Sequence, residues 1–222
     1  TISPLRWLKL IPIAFTGQNA QKVHDGTKTQ TLRLVKPRSI KFKLPEMANA
    51  GYWPGETWQD GKQFSPELNS VVPLARYRVG DVLWCAEPWR THTCFDAVKP
   101  AELNVSRVIF EASGTSDGGK LRPGRFLPLR FARPARYEVV AVRCERVNAI
   151  SEADAKAEGI KDGVRWDRKG SPSGRFENGT SGDSFSSASE AFAELWNSIH
   201  TATGTRFEDA PWVWAYTFRR VQ

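Results

Sequence analysis

RYEVVAVRCERV, residues 136–147, is the stretch on which the fold turns. Its valines and short period place Val140, Val142 and Cys144 on one face, which predicts a long β-strand. C-terminal to it, Ser151 followed by Glu152 and Asp154 opens a short helix that stops at Gly159. SASEAFAELWNSIH (187–200) is an amphipathic helix. Ala191, Leu195 and Ile199 recur at helical spacing, with Phe192 and Trp196 beside them. WVWAYTF (212–218) predicts a closing strand, with Trp212, Trp214, Tyr216 and Phe218 alternating against Val213, Ala215 and Thr217.

N-terminal to the same stretch, Gly80-Asp81 marks a turn before a strand over 82–87 that Pro88 ends, and 105–112 predicts another strand. KTQTLRLV (28–35) alternates. Leu32 and Leu34 share a face with Gln30, which leaves Thr31 and Arg33 toward a cleft or solvent. Residues 10–15 predict an edge strand because Pro12 lacks an N–H for the ladder. Residues 17–25 predict a helix between Thr16 as N-cap and Gly26 as stop. Two segments break this rhythm. Residues 36–75, with Pro37, Pro45, Pro54, Pro66 and Pro73, are expected to be irregular. The Gly- and Ser-rich residues 161–187 are expected to form a mobile surface excursion.

About six short strands with two or three short helices predict an α+β fold: a small, mostly antiparallel barrel with flanking helices and two long insertions, in one domain over 1–222. At 222 residues, with 40% hydrophobic and 25% charged residues, the chain can bury a sizeable core, and wholesale disorder is excluded. No apolar run reaches the ~18 residues of a membrane span. The opening TISPLRWLKLIPIAF reads poorly as a signal peptide, and the missing initiator Met suggests a trimmed terminus. Cys85, Cys94 and Cys144 are odd in number and have no ligand spacing. No disulfide framework, metal or cofactor is expected, and a reducing cytoplasm is the simplest compartment.

The net charge of +8 is unevenly placed. Residues 1–43 carry nine basic and one acidic residue, and residues 119–146 carry eight and two. If these segments meet, they form a positive face suited to a phosphate backbone, although many basic proteins bind no nucleic acid. His24, His92 and His200 lie far apart in sequence, and His24 is expected to decorate the short helix.

Six phrases, in order, carry a resemblance. They are GTKTQTLR (26–33), YRVGDVLWCAEPW (77–89), LPLRFAR (127–133), SEADAKAEGI (151–160), FAELWNSI (192–199) and APWVWAYTF (210–218). Together the chain resembles the ASCH family, domains with a PUA-like β-barrel, and more narrowly the small ASCH proteins of bacteriophage and prophage genomes. The resemblance covers about two thirds of the chain and leaves out 36–75 and 161–187. It implies a PUA-like fold, a cleft lined by the G-x-K element and a cytoplasmic location (the host's, if phage-encoded). It also implies a partner that is RNA, single-stranded nucleic acid or a modified nucleoside. Some members bind RNA, some act as ribonucleases, and one branch removes the acetyl group from N4-acetylcytidine with a Lys, a Thr three residues on and a downstream Glu. Those positions are Lys28, Thr31 and Glu87 here. The chain is about twice as long as the compact amidohydrolases, and Pro88 follows the Glu.

Amide hydrolysis needs a nucleophile, a base and an acid for the leaving amine. Thr31 is the candidate nucleophile, Lys28 its base and Glu87 the proton carrier, with Gly26 forming the turn that carries Lys28. The plainer readings are an exposed Lys28 at a helix end, a solvent-facing Thr31, and a Glu87 solvated or paired with Arg90. Arg33, Arg130 and Arg133 are candidates for phosphate or base contacts, against a solvated basic face. Trp53 and Trp58 are candidates for base stacking, against a local aromatic cluster. A non-catalytic nucleic-acid-binding module and an ASCH-type ribonuclease stand as the alternatives to an amidohydrolase.

Overall fold

The computed structural model describes residues 10–35, 57–59, 62–64, 75–114, 118–166, 172–177 and 185–221. In chain order the elements are β1 (Ile11–Ala14), α1 (Gly17–His24), β2 (Gln30–Leu34), β3 (Thr57–Gln59), β4 (Lys62–Phe64), β5 (Val82–Ala86), β6 (Trp89–Arg90), β7 (Ile109–Phe110), β8 (Tyr137–Arg146), α2 (Glu152–Ala157), β9 (Lys161–Trp166), β10 (Pro172–Glu177), α3 (Ala188–Ile199) and β11 (Trp212–Arg220). Single 3-10 turns fill much of the span between β6 and β8. The main sheet is mixed and five-stranded, in the order β1-β5-β8-β11-β2. The fold is therefore α+β. Among the described residues no pairing joins β1 to β2, and the sheet does not close on itself.

The chain divides into two compact units. The first comprises Thr1–Thr29, Gly80–Val139 and Phe218–Gln222; the second comprises Gln30–Val79 and Val140–Thr217.

In the first unit, β1 runs parallel to β5 from Ile11↔Leu83 to Ala14↔Ala86. Pro12 sits on this edge strand as predicted, where its missing N–H leaves no ladder bond unmade. β5 continues antiparallel onto β8 at Val82↔Glu138 and Leu83↔Tyr137. α1 follows β1 at once and buries Ala20 and Val23. It ends where Gly26 adopts φ +83°, a left-handed conformation that a Cβ would disfavour. The predicted strand over 105–112 shortens to the two residues of β7, and a 3-10 turn over Glu111–Ser113 takes its C-terminal end. A core of Trp84, Ala86, Trp89, Leu103 and Leu127, joined by Phe95, Phe110 and Phe131, lies under these turns.

In the second unit, β2 pairs antiparallel with β11 from Gln30↔Thr217 to Leu34↔Val213. Both faces of β2 are covered. Gln30, Thr31 and Leu32 are all buried, so Thr31 does not face solvent. α2 starts at Ser151, whose hydroxyl accepts from the Asp154 N–H, as the sequence predicts. Glu152 reaches from α2 to cap α3, accepting from the N–H groups of Ala188 and Ser189 at 2.7 and 3.0 Å. The Ser189 hydroxyl, which donates to Glu152 Oε1 at 2.6 Å, and then these N–H bonds lower the pKa of its carboxyl. α3 buries Ala188, Ala191, Phe192, Leu195 and Trp196, but Ile199 is exposed. At 100° per residue Ile199 falls on the same face as Phe192 and Leu195; it is the last residue of the helix.

The expected excursion at 161–187 is corrected where it is described. β9 and β10 form an antiparallel hairpin. Phe176 and Phe185 exchange backbone hydrogen bonds at 3.0 Å and pack on the second unit's core. These two phenylalanines and the Lys156 ammonium, 5.1 Å above the Phe176 ring, tie in a segment whose average composition is polar. In the span 36–75, the paired strands β3 and β4 replace the expected irregularity at 57–59 and 62–64.

β8 also departs from simple alternation. Tyr137 and Val139 are buried, Val140 is exposed, and burial then returns at Cys144. The buried set moves from odd to even positions at the boundary between the two units, so no single face of this strand is the inner one throughout.

Candidate functional site

In the first unit, the end of β5, the end of α1 and the start of β8 bring four polar side chains together. Glu87 follows the last residue of β5 and is fully buried. Its Oε1 accepts from His24 Nε2 at 2.9 Å and from Arg133 Nε at 2.9 Å. The other oxygen, Oε2, is buried and has no hydrogen-bond partner among the described residues. A carboxylate is acceptor-only when ionised, so two donors on one oxygen fix its plane and leave the second oxygen available.

His24 is the last residue of α1, one turn after Ala20 on the helix's buried face. Because Glu87 can only accept, Nε2 carries the hydrogen. In the neutral ring Nδ1 then accepts from the Tyr137 hydroxyl, 2.9 Å away. Burial, with Cys85 and Glu87 nearby, pushes the Tyr137 phenol up to about 12, so it keeps its hydrogen near neutral pH. Arg133 is held at three points. It bonds Glu87, donates from NH2 to Ser113 Oγ at 3.1 Å, and lies 4.7 Å above the Phe110 ring.

Gly124 makes the position of Glu87 possible. A Cβ there would overlap the Ala86 carbonyl and press on the Glu87 backbone, so only glycine allows this close approach.

Lys28 is buried, at 3% exposure, so it is not an exposed lysine at the helix end; its N–H closes the turn on the Lys22 carbonyl at 2.9 Å. Thr31 is buried in the second unit, opposite Tyr216 in β11. Glu87 is neither solvated nor paired with Arg90, because His24 and Arg133 take its one bonded oxygen.

The remaining candidates separate from this group. Arg33 is half-buried in the second unit. Burial holds its guanidinium below the ordinary value, and Glu158, Tyr77 and Tyr216 oppose that fall. Arg130 donates to the carbonyls of Pro100, Ala101 and Leu103 and lies over Phe131, so it ties a loop down. Arg122 and Arg136 likewise donate to backbone carbonyls. The basic run 119–146 thus spends much of its hydrogen-bonding capacity inside the protein. Trp58 belongs to β3, and Trp53 lies outside the described residues.

His24 and Tyr137 are functional candidates that reading the sequence misses. The available signals were the i, i+4 relation of His24 to buried Ala20 and the inward face that Tyr137 shares with Val139. Nδ1 or Nε2 of His24, Sγ of Cys85 and an oxygen of Glu87 lie within 4.8 Å of one another, close enough to meet at a cation. The Arg133 guanidinium on the same carboxylate opposes a dication there, and His24 already uses Nε2 toward Glu87. The set fits a hydrogen-bonded carboxylate better than a metal centre.

No family model, no curated protein and no solved structure matches the chain. No helix among the described residues is long and apolar enough to cross a membrane.

Proposed function

We propose that the protein is a cytoplasmic PUA-like domain of the ASCH type, its five-stranded sheet being part of the family's barrel. In this reading it is an amidohydrolase that removes an acyl group from N4-acetylcytidine-type bases, free or in RNA. The observation that carries this reading is the Glu87 carboxylate, fully buried, oriented through Oε1 by His24 and Arg133, with Oε2 left over. Such a carboxylate can take a proton on Oε2 and pass it on without turning, because its partners hold it in place.

The Thr31 hydroxyl adds to the acetyl carbonyl, and its proton passes to a neutral Lys28 amine. Glu87 delivers a proton to the departing exocyclic nitrogen, and the free amino base leaves. Water then cleaves the acetyl ester: its hydroxide joins the acetyl group, its other proton returns to Glu87, Lys28 gives its proton back to Thr31, and acetic acid leaves. The burial of Lys28 supports the reading, since it places the amine inside the protein and not on a solvated helix end.

The test is acetate release from N4-acetylcytidine and from acetylated RNA. Turnover by the natural chain, lost in Lys28→Ala, Thr31→Ala and Glu87→Gln with the fold retained, is the expected result. No turnover on any acylated cytosine substrate overturns the reading.

A further inference from the structure

The first unit holds a cavity of about 510 Å³ with no part in the chemistry above. Its walls are Phe95, Phe110 and aliphatic side chains from 105–109, with Thr91, His92, Arg107 and Ser113 supplying polar groups. Two features mark it as built for a ligand. Thr91 is 3% exposed, yet its Oγ1 has no hydrogen-bond partner among the described residues. A buried hydroxyl left unsatisfied is costly unless something else supplies its partner. Arg107 is exposed at the same cavity and makes no ion pair among the described residues.

The cavity also connects to Glu87. Ser113 and Phe110 line it, and both touch Arg133, whose Nε holds Glu87 Oε1. Aromatic walls, a buried hydroxyl and an unpaired guanidinium at the rim suit a planar ring that carries an anionic group. The volume lies within the range of small-molecule sites, roughly 300–1,000 Å³.

We propose that this cavity binds one nucleotide, its ring against Phe95 and Phe110, a polar group on Thr91 Oγ1 and its phosphate on Arg107. The choice of a pyrimidine probe rests on the base-directed reading above; the ring-and-phosphate chemistry does not.

The experiment is calorimetric titration of cytidine 5′-monophosphate, and of cytidine as the control without phosphate, into the full chain. The monophosphate should bind at least tenfold more tightly, and Arg107→Ala should erase that difference. Thr91→Val should weaken both ligands several-fold. Val108→Trp, which fills the cavity, should abolish both; a matching thermal melt confirms that each variant is folded. A 5′-phosphorylated tetranucleotide distinguishes the sources of the phosphate. Tighter binding than the monophosphate, lost in Arg107→Ala, identifies a chain end, and equal binding identifies a free nucleotide. Equal affinity for cytidine and its monophosphate, no binding of either, or unchanged binding in folded Arg107→Ala overturns the inference. The two proposals fail separately. Phosphate-dependent binding without deacetylation leaves this site standing and removes the amidohydrolase, whereas deacetylation without phosphate-dependent binding does the reverse.

Discussion

Among the described residues each unit buries one glutamate, and the partners of the two differ. Glu158, in the second unit, is 5% exposed and follows α2. Its Oε1 accepts from the backbone N–H of Leu32 in β2, so the carboxylate ties a helix end to a strand. Glu87, in the first unit, accepts from two side chains and none of the described backbone groups, and one of its oxygens has no partner among the described residues. Both acids are buried, and the proposed function makes only Glu87 the reactive one. What separates them is whether the carboxylate's partners belong to the scaffold or leave an oxygen to be used.

The sharpest way to break this contrast is to neutralise each acid. Glu87→Gln keeps the shape and removes the proton carrier, so acetate release should fall by about 10²–10⁴-fold. Glu158→Gln should leave the turnover rate within about twofold. Equal losses in the two variants would show that the distinction between them is false.

A backbone substitution sharpens the same point. Gly124→Ala places a methyl group against the Ala86 carbonyl, which has no freedom to move aside. It should cost about 1–3 kcal/mol of stability and lower turnover in the fraction that folds. Chemical denaturation with a parallel rate measurement checks both effects. The structural acid predicts a somewhat smaller change. Glu158→Ala leaves the buried Leu32 N–H without its acceptor and should cost about 1–2 kcal/mol, read in the same denaturation experiment.

The smallest effect concerns pH. His200 ends α3 and stacks on Trp196, with ring centroids 4.0 Å apart. Burial, then the charge of Arg33, lowers its pKa below 6.5. A histidine whose folded pKa is depressed favours its neutral form in the native state. Its contribution is therefore present above pH 6.5 and is lost as pH falls from 6.5 toward the lower folded value. His200→Phe should flatten this part of the melting-temperature profile below pH 6.5. An unchanged slope would place the pH sensitivity elsewhere.

Local signals in the sequence were read correctly. Gly26 ends α1, Ser151 caps α2, Pro12 marks an edge, and 82–86 and 212–218 form strands. Each depends on a few neighbouring residues, because capping, turn and proline effects act within one helical turn or one ladder rung. The hairpin of β9 and β10 was not legible, because Phe176 and Phe185 sit in a polar segment whose average hides them. The change of inner face along β8 was also hidden, since alternation read from valines alone cannot show which side a neighbouring element covers.

Glu87 itself was visible through its place in G-D-x-L-W-x-x-E, but its partners were not. His24 lies 63 residues away and Arg133 lies 46 away; Tyr137 is 113 residues from His24. The sequence by itself determined the short elements, their ends and the net basic charge, because backbone dihedrals and capping bonds depend on adjacent residues. Only the tertiary structure decided that four of the seven arginines of 119–146 donate to backbone carbonyls and that one Glu87 oxygen has no partner among the described residues. Those outcomes depend on hydrogen-bond competition among groups that meet only after the chain has folded.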